Sequence, residues 1–124
     1  MAMDEKRYEA GLAVRKAVLT AEHVENTFRN TDAFTQPLQE LITEVCWGIG
    51  WADEGLERPK RSLLTLGILA SLGRFSEFET HVRAALNNGV TKAELQAALI
   101  HIAIYCGMPA AVESARSMQK VFNS

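Results

Sequence analysis

One short stretch of the sequence combines an arginine, a carboxylate and a histidine at spacings that suit acid–base chemistry. Arg74, Glu77 and His81 follow one another closely, and Ser76 with Glu79 has the S-x-x-E spacing of a capping box, which predicts a helix beginning near Glu77. Glu77 and His81 then lie one turn apart on one face. A carboxylate there can orient an imidazole and tune its pKa, so that the imidazole transfers a proton near neutral pH.

Arg74 adds a positive charge just before this helix, where the helix dipole also favours anions. Together Arg74, Glu77 and His81 predict an anion site with a proton donor. The same spacing is common among solvated surface residues, so spacing alone leaves both interpretations open.

Other residues that could do chemistry are more scattered. Arg58, Lys60 and Arg61 form a second basic cluster, which could clamp a carboxylate or could be a solvated helix start. His101, four residues before Tyr105 in an apolar segment, is predicted to be a core histidine.

A metal site is not expected, because Glu77 and His81 supply only two ligands. Cys46 and Cys106 are sixty positions apart, so neither a CxxC redox pair nor a zinc knuckle can be formed from them. The sequence also lacks a G-x-S-x-G elbow, a P-loop and a dinucleotide glycine fingerprint, which removes the common hydrolase, kinase and NAD-binding interpretations.

Helical periodicity and capping residues predict an all-α chain of about six helices, with no strand pattern. Asp4 is predicted to cap a helix that reaches about Leu19, and Thr20 a short second one. A third helical segment extends to Gly48, with its start blurred by Pro37.

The stretch after this third segment contains three glycines, at positions 48, 50 and 55. It is predicted to be a loop, Gly48 to Glu57, that holds Trp47 and Trp51. Because exposed tryptophans are costly, these two indoles are expected to wall a pocket or an interface.

The C-terminal half is more apolar. The segment from Pro59 to Leu72 is apolar on nearly every side and predicts a buried helix. After the helix near Glu77, a second capping box, Thr91 with Glu94, opens another apolar helix that ends at Cys106, and Pro109 starts a last helix to about Phe122. Two such apolar helices exceed what a short monomer can bury, which predicts a homo-oligomer.

The bulk properties bound the class of protein. With 124 residues and 48% hydrophobic residues, the chain is expected to form a single domain, residues 1–124. A formal charge of −2 argues against a nucleic-acid or membrane-surface binder. The charged N-terminus lacks the apolar stretch of a secretory signal, and the longest uncharged run is interrupted by polar and turn residues, so a cytoplasmic protein without a spanning helix is expected.

Several segments resemble the 4-carboxymuconolactone decarboxylases. Residues 74–91 are similar to that family's RxxExxxHxRAAxNNGVT block, and residues 103–111 to its AIYCGxPAA. The likeness also includes Arg61-Ser62-Leu63 and the N-terminal MDEK, RYDAG and VRRAVL pieces, and so covers nearly the whole chain. Related AhpD-type alkylhydroperoxidases carry a CxxC pair where this chain has Arg74 and Glu77. Thiol peroxidase activity is therefore not expected, because no thiolate is available there.

The resemblance implies an AhpD-like helical oligomer, commonly a trimer of dimers, that decarboxylates 4-carboxymuconolactone to the β-ketoadipate enol-lactone in protocatechuate catabolism. It implies a carboxylated lactone as substrate and no cofactor, because the conjugated lactone carbonyl is itself the electron sink. In this view His81, oriented by Glu77, delivers the proton, with the reverse assignment open. Five residues are then expected to contact substrate, namely Arg74, Arg61, Trp47, Trp51 and Tyr105.

One departure from the family pattern affects the expected substrate. The tryptophan loop often reads W-x-R-P-G-L in the family, whereas this chain has Asp53-Glu54 in place of the Arg-Pro. Two alternatives therefore stay open: a related cofactor-free lyase or isomerase acting on another lactone or keto acid, and a non-catalytic helical oligomer that serves as a binding module.

Overall fold

The predicted N-terminal capping residues are the ones that the protein uses. In the computed structural model, which describes residues 3–124, Asp4 caps helix α1 (Glu5–Leu19) by accepting a hydrogen bond from the backbone N–H of Arg7. Thr20 caps α2 (Ala21–Arg29) by accepting from the N–H of His23. Both predicted helices are confirmed. Met1 and Ala2, which the predicted 1–124 domain includes, lie outside the described residues.

The third helical segment runs further than predicted. Helix α3 (Gln36–Leu41) continues without a break into a π-helix, π1 (Ile42–Trp51). The predicted loop, Gly48 to Glu57, was wrong over residues 48–51 and for the two indoles, because Trp47 and Trp51 lie on π1 and the backbone N–H of Ala52 donates to the carbonyl of Trp47 at 3.0 Å. Residues 52–57 lie outside any helix, as predicted.

One of the three glycines that suggested a loop, Gly48, is explained by packing against α1. A Cβ on Gly48 would lie 2.5 Å from the carbonyl oxygen of Arg7, and a Cβ on Gly11 would lie 2.1 Å from that of Thr43. Helix α1 and π1 therefore pack backbone against backbone at this pair, which side chains would prevent. Glycine is required at positions 11 and 48 by this close backbone contact and not by a turn.

The chain forms two compact units, Met1–Leu56 and Glu57–Ser124, which are described separately. In the second unit, α4 (Arg58–Leu72) is followed by α5 (Phe75–Asn87), α6 (Lys92–Cys106) and α7 (Met108–Phe122). The capping box of Thr91 and Glu94 is confirmed at the start of α6. Residues 3–124 contain no strand, which confirms the all-α prediction.

Helix α5 begins two residues earlier than predicted. Arg74, not Ser76, occupies its N-cap position, and no side chain caps the helix. The predicted capping box was wrong because Glu79 is engaged elsewhere: its carboxylate lies 3.1 Å from Nζ of Lys120 on α7 and 3.9 Å from Arg83. The pair with Lys120 connects α5 to α7, and the pair with Arg83 lies within α5. Glu77 and His81 keep their predicted one-turn spacing.

The core of the second unit is built from all four helices. Its buried members are Leu66, Ala70, Phe78, Val82, Ala85, Val90, Leu95, Ile102, Met118 and Val121. Helix α4 packs against α5, α6 and α7, and α7 packs against α5 and α6. None of the helices in the described part of the chain is long and apolar enough to cross a membrane.

The prediction that α4 is buried on every side was wrong for the single chain. Leu64, Ile68 and Leu72, spaced by four residues, are exposed, with Ile68 49% exposed. On α6, Ile100 and Ile104 are exposed in the same way. The unit's four helices can surround only one face of each apolar helix, so a row of apolar side chains on each remains open to solvent.

Candidate active site

The first three candidate residues lie in sequence order along the start of α5. Arg74 is exposed at the N-cap, Glu77 is exposed in the first turn, and His81 is half-buried one turn further on. The backbone N–H of Arg74 donates to the carbonyl of Leu69 at 2.9 Å, while Gly73 takes the left-handed conformation with φ of 70°. This turn ends α4 and fixes the backbone of Arg74 at the turn end of the α4–α5 hairpin.

The opposite end of the hairpin is fixed by a side-chain contact. Nδ2 of Asn88, just after α5, donates to Oγ of fully buried Ser62 at 2.9 Å. The start of α4 therefore lies beside the end of α5. Arg61, which precedes Ser62 and is half-buried, belongs to this end.

The two candidate arginines are thus far apart within one chain. At about 1.5 Å of rise per residue, Arg74 and Asn88 are separated by about 21 Å along α5, and His81 lies midway, about 10 Å from each end. One carboxylate group cannot contact both arginines of the same chain. A molecule with an anionic group at each end fits this arrangement, with its middle near His81.

Tyr105 contacts His101 on its own helix, α6, rather than the candidate residues of the α4–α5 hairpin. Its ring packs on His101, with centroids 4.7 Å apart, and the side chain is 78% exposed at the end of α6. The prediction of His101 as a core histidine was wrong, because His101 lies on the exposed side of α6, beside Ile100 and Ile104.

Trp47 and Trp51 belong to the first unit. Four residues apart on π1, they stack with ring centroids 5.1 Å apart and an interplanar angle of 22°. Trp47 is only 3% exposed and Trp51 only 7%, so both indoles are buried within the first unit. Asp53 and Glu54, which follow them, are exposed.

Each unit contains a cleft. A cleft of about 320 Å³ lies between α6 and α7, and one of about 550 Å³ lies in the first unit between α1 and α2. No candidate residue lines either of these clefts. Arg74 and Glu77 are exposed and His81 is half-buried on the single chain. No group of three His, Cys, Asp or Glu side chains within residues 3–124 is arranged to hold a metal ion.

Sequence reasoning missed the importance of Asn88. Asn88 belongs to a polar stretch at the end of α5, and nothing in the local sequence indicates that its amide contacts Ser62. The signal available was topological: a two-residue connection, Gly73-Arg74, makes α4 and α5 antiparallel, so residues near the start of α4 must meet residues near position 88.

Comparison with known proteins gives consistent results. The model of the carboxymuconolactone decarboxylase family matches residues 36–120. The chain is 47% identical over 116 residues to the nitrosuccinic acid decarboxylase npaB of Metarhizium robertsii, covering 94% of this chain and 81% of that protein. It is 42% identical over 119 residues to the 4-carboxymuconolactone decarboxylase of Acinetobacter baylyi, covering 96% of this chain and 89% of the relative.

Proposed function

The chain belongs to the carboxymuconolactone decarboxylase family and is a carboxy-lyase, and from this premise we propose that it decarboxylates 4-carboxymuconolactone without a cofactor. The product is the β-ketoadipate enol-lactone, and the enzyme acts in the cytoplasm in protocatechuate catabolism. The observation that carries the proposal is the position of His81 midway between Arg74 and Arg61, in a chain that aligns over 96% of its length with a relative named for this reaction.

The chemistry needs little beyond binding and one proton. The bond from the ring carbon to the departing carboxylate breaks, carbon dioxide leaves, and the electron pair enters the ring to give a dienolate whose negative charge rests on the lactone oxygen. One proton then adds to the far ring carbon. The protein must hold the spectator carboxylate, stabilise the oxyanion and supply that proton.

The residues of the α4–α5 hairpin suit these tasks. His81 delivers the proton, and Glu77, one turn away on the same helix face, orients its imidazole. Arg74 and Arg61 bind the anionic ends of the substrate. The exposure of this surface on a single chain leaves the exclusion of water from the site to other groups.

The open site and the exposed apolar rows favour a homo-oligomer, a trimer or hexamer. Leu64, Ile68 and Leu72 on α4 end two residues before Arg74, so a second copy seated on this row would cover the edge of the site. Covering it would strengthen each charged contact there, because electrostatic interactions weaken in water.

A second candidate substrate is nitrosuccinate. It is favoured by the 47% identity to the nitrosuccinic acid decarboxylase and by Asp53-Glu54, which departs from the W-x-R-P-G-L pattern. The chemistry is parallel: the carboxylate beside the nitro group leaves as carbon dioxide, the electron pair moves into the nitro group as a nitronate, and one proton adds to the carbon.

The experiment that tests the function offers both substrates to purified protein in the presence of chelator. Carbon dioxide release and loss of each substrate are followed against the spontaneous rate. Faster release from 4-carboxymuconolactone supports the proposal, and release from nitrosuccinate alone supports the second candidate. If folded protein accelerates neither reaction, both assignments are wrong.

A further inference from the structure

We infer that the substrates of this enzyme are succinate dianions that carry an electron-accepting group on the carbon losing carbon dioxide, and that the retained carboxymethyl arm is the feature the site selects. The inference rests on the proposed function and deepens it, because it defines which molecules qualify. It is carried by the separation of Arg74 from Arg61 and by the chemistry that the two candidate substrates share.

The hairpin sets the size of the molecule that can be held. Arg74 lies at the turn of the hairpin, and Arg61, on α4, lies near the end of α5, about 21 Å from Arg74 along the helix axis. Each extended arginine side chain spans roughly 6 Å at bond lengths near 1.5 Å, so the two guanidinium groups come no closer than about 9 Å. A small molecule that contacts both must therefore carry negative charge at both ends, with its reacting carbon beside His81.

The two candidate substrates share one substructure. In 4-carboxymuconolactone and in nitrosuccinate alike, the carbon that loses carbon dioxide also carries a –CH₂–COO⁻ arm. On its other side that carbon bears an acceptor, the conjugated lactone or the nitro group, whose oxygen becomes negative as carbon dioxide leaves. The acceptor can therefore vary while the arm stays constant.

The surroundings of the two arginines assign their partners. Arg74 is exposed at the N-cap of α5, so we assign it to bind the carboxylate of the –CH₂–COO⁻ arm. The charge of this carboxylate is the same in the ground state and in the transition state. Arg61 is half-buried beside fully buried Ser62. A cation that is partly shielded from water stabilises most strongly a negative charge that develops during the reaction. Arg61 therefore faces the acceptor oxygen.

The test compares each dianion with an analogue in which the arm is replaced by methyl: nitrosuccinate against 2-nitropropanoate, and 4-carboxymuconolactone against its 4-methyl counterpart without the arm. These pairs keep the leaving carboxylate and the acceptor. For the pair that contains the accepted dianion, we expect kcat/KM to fall at least about a hundredfold without the arm, after correction for spontaneous decarboxylation.

Arg74→Gln and Arg61→Gln then separate the two roles. Arg74→Gln should lower kcat/KM for the dianion at least about tenfold more than for the methyl analogue, mainly through a higher KM. Arg61→Gln should lower kcat on both members of the pair. Circular dichroism confirms that the variants are folded.

The outcomes separate this inference from the proposed function. If neither dianion is decarboxylated, the proposed function is wrong. If a dianion is decarboxylated and its methyl analogue reacts as fast, or if Arg74→Gln impairs both members of the pair equally, the reaction stands and the selection of the arm is wrong.

Discussion

Asn88 donates a hydrogen bond of 2.9 Å to the hydroxyl of Ser62, a side chain with no solvent exposure. Together with the turn at Gly73 and the shared core, this contact holds the register of the α4–α5 hairpin, and with it the separation of Arg61 from Arg74. The geometry of the proposed site therefore depends on a pair of residues that need not touch the substrate.

Replacing Ser62 by Ala should lower the free energy of unfolding by about 1–2 kcal/mol, because the half-buried amide of Asn88 loses its acceptor. Urea denaturation measures the change. Ser71→Ala is the matched control, since the Ser71 hydroxyl is exposed on the same helix, where it bonds the carbonyl of Ile68, and its loss should cost less than about 0.5 kcal/mol. Equal effects at the two positions would show that the Ser62 contact does not hold the hairpin.

Gly11→Ala should destabilise the first unit by about 2–3 kcal/mol or more, because the new Cβ would meet the carbonyl oxygen of Thr43 at 2.1 Å. Gly50→Ala, on π1 with no atom within 4 Å of the new Cβ, should have little effect. Thermal unfolding of both variants checks the prediction. A Gly11→Ala protein as stable as the wild type would mean that α1 and π1 do not pack at this glycine pair.

These two packing features also show where sequence reasoning reached its limit. The caps Asp4, Thr20 and Thr91 act locally, so they predicted the helix starts correctly. Gly48 and Gly50 have no local signal that separates a loop from a π-helix packed on α1, and the loop prediction failed there. The early start of α5 was missed because Glu79 pairs with Lys120, a contact across 41 positions that no local pattern reveals.

The candidate site also combines a local feature that could be predicted with a tertiary one that could not. The one-turn spacing of Glu77 and His81 follows from helix geometry alone and was predictable. The separation of Arg61 from Arg74 depends on how α4 folds back on α5. In the sequence, Arg61 belongs to a second basic cluster, and only the resemblance implies that it contacts the same substrate as Arg74. The distance between the two arginines was not predictable, because the contact of Ser62 with Asn88 is a tertiary one.

Asp32 should make stability depend on pH in the acid range. Its Oδ1 accepts hydrogen bonds from the backbone N–H and the hydroxyl of Thr35 and from the N–H of Phe34, which lowers the pKa of Asp32 below its ordinary value of 3.8. A lowered pKa in the folded state means that the stabilisation is fully present above pH 3.8 and is lost as the pH falls through the folded-state value.

The measurement is the unfolding midpoint in urea of wild type and Asp32→Asn at several pH values from 7 to 2.5. The wild type should be the more stable protein at neutral pH, and the gap should narrow as the pH falls below 3.8. A gap that stays constant over the whole range would contradict the role of the ionised carboxylate.

Ile68→Glu should reduce the size of the homo-oligomer that we propose, because it places a charge in the middle of the exposed row of α4 between Leu64 and Leu72. Light scattering coupled to size-exclusion chromatography gives the mass, and circular dichroism shows that the helices remain. Ile68→Leu keeps the apolar character and should keep the wild-type mass. If Ile68→Glu has the same oligomeric mass as the wild type, the α4 row is not an interface.

The most direct test of the account measures carbon dioxide release from 4-carboxymuconolactone by wild type, His81→Gln and His23→Gln, side by side at pH 7 with chelator present. His23 is exposed on α2 and serves as the matched control. If His81 delivers the proton, we expect rapid release of carbon dioxide by the wild type and by His23→Gln. The rate of folded His81→Gln should be lower by about a hundredfold or more. A His81→Gln protein that works within about twofold of the wild-type rate would contradict proton delivery by His81.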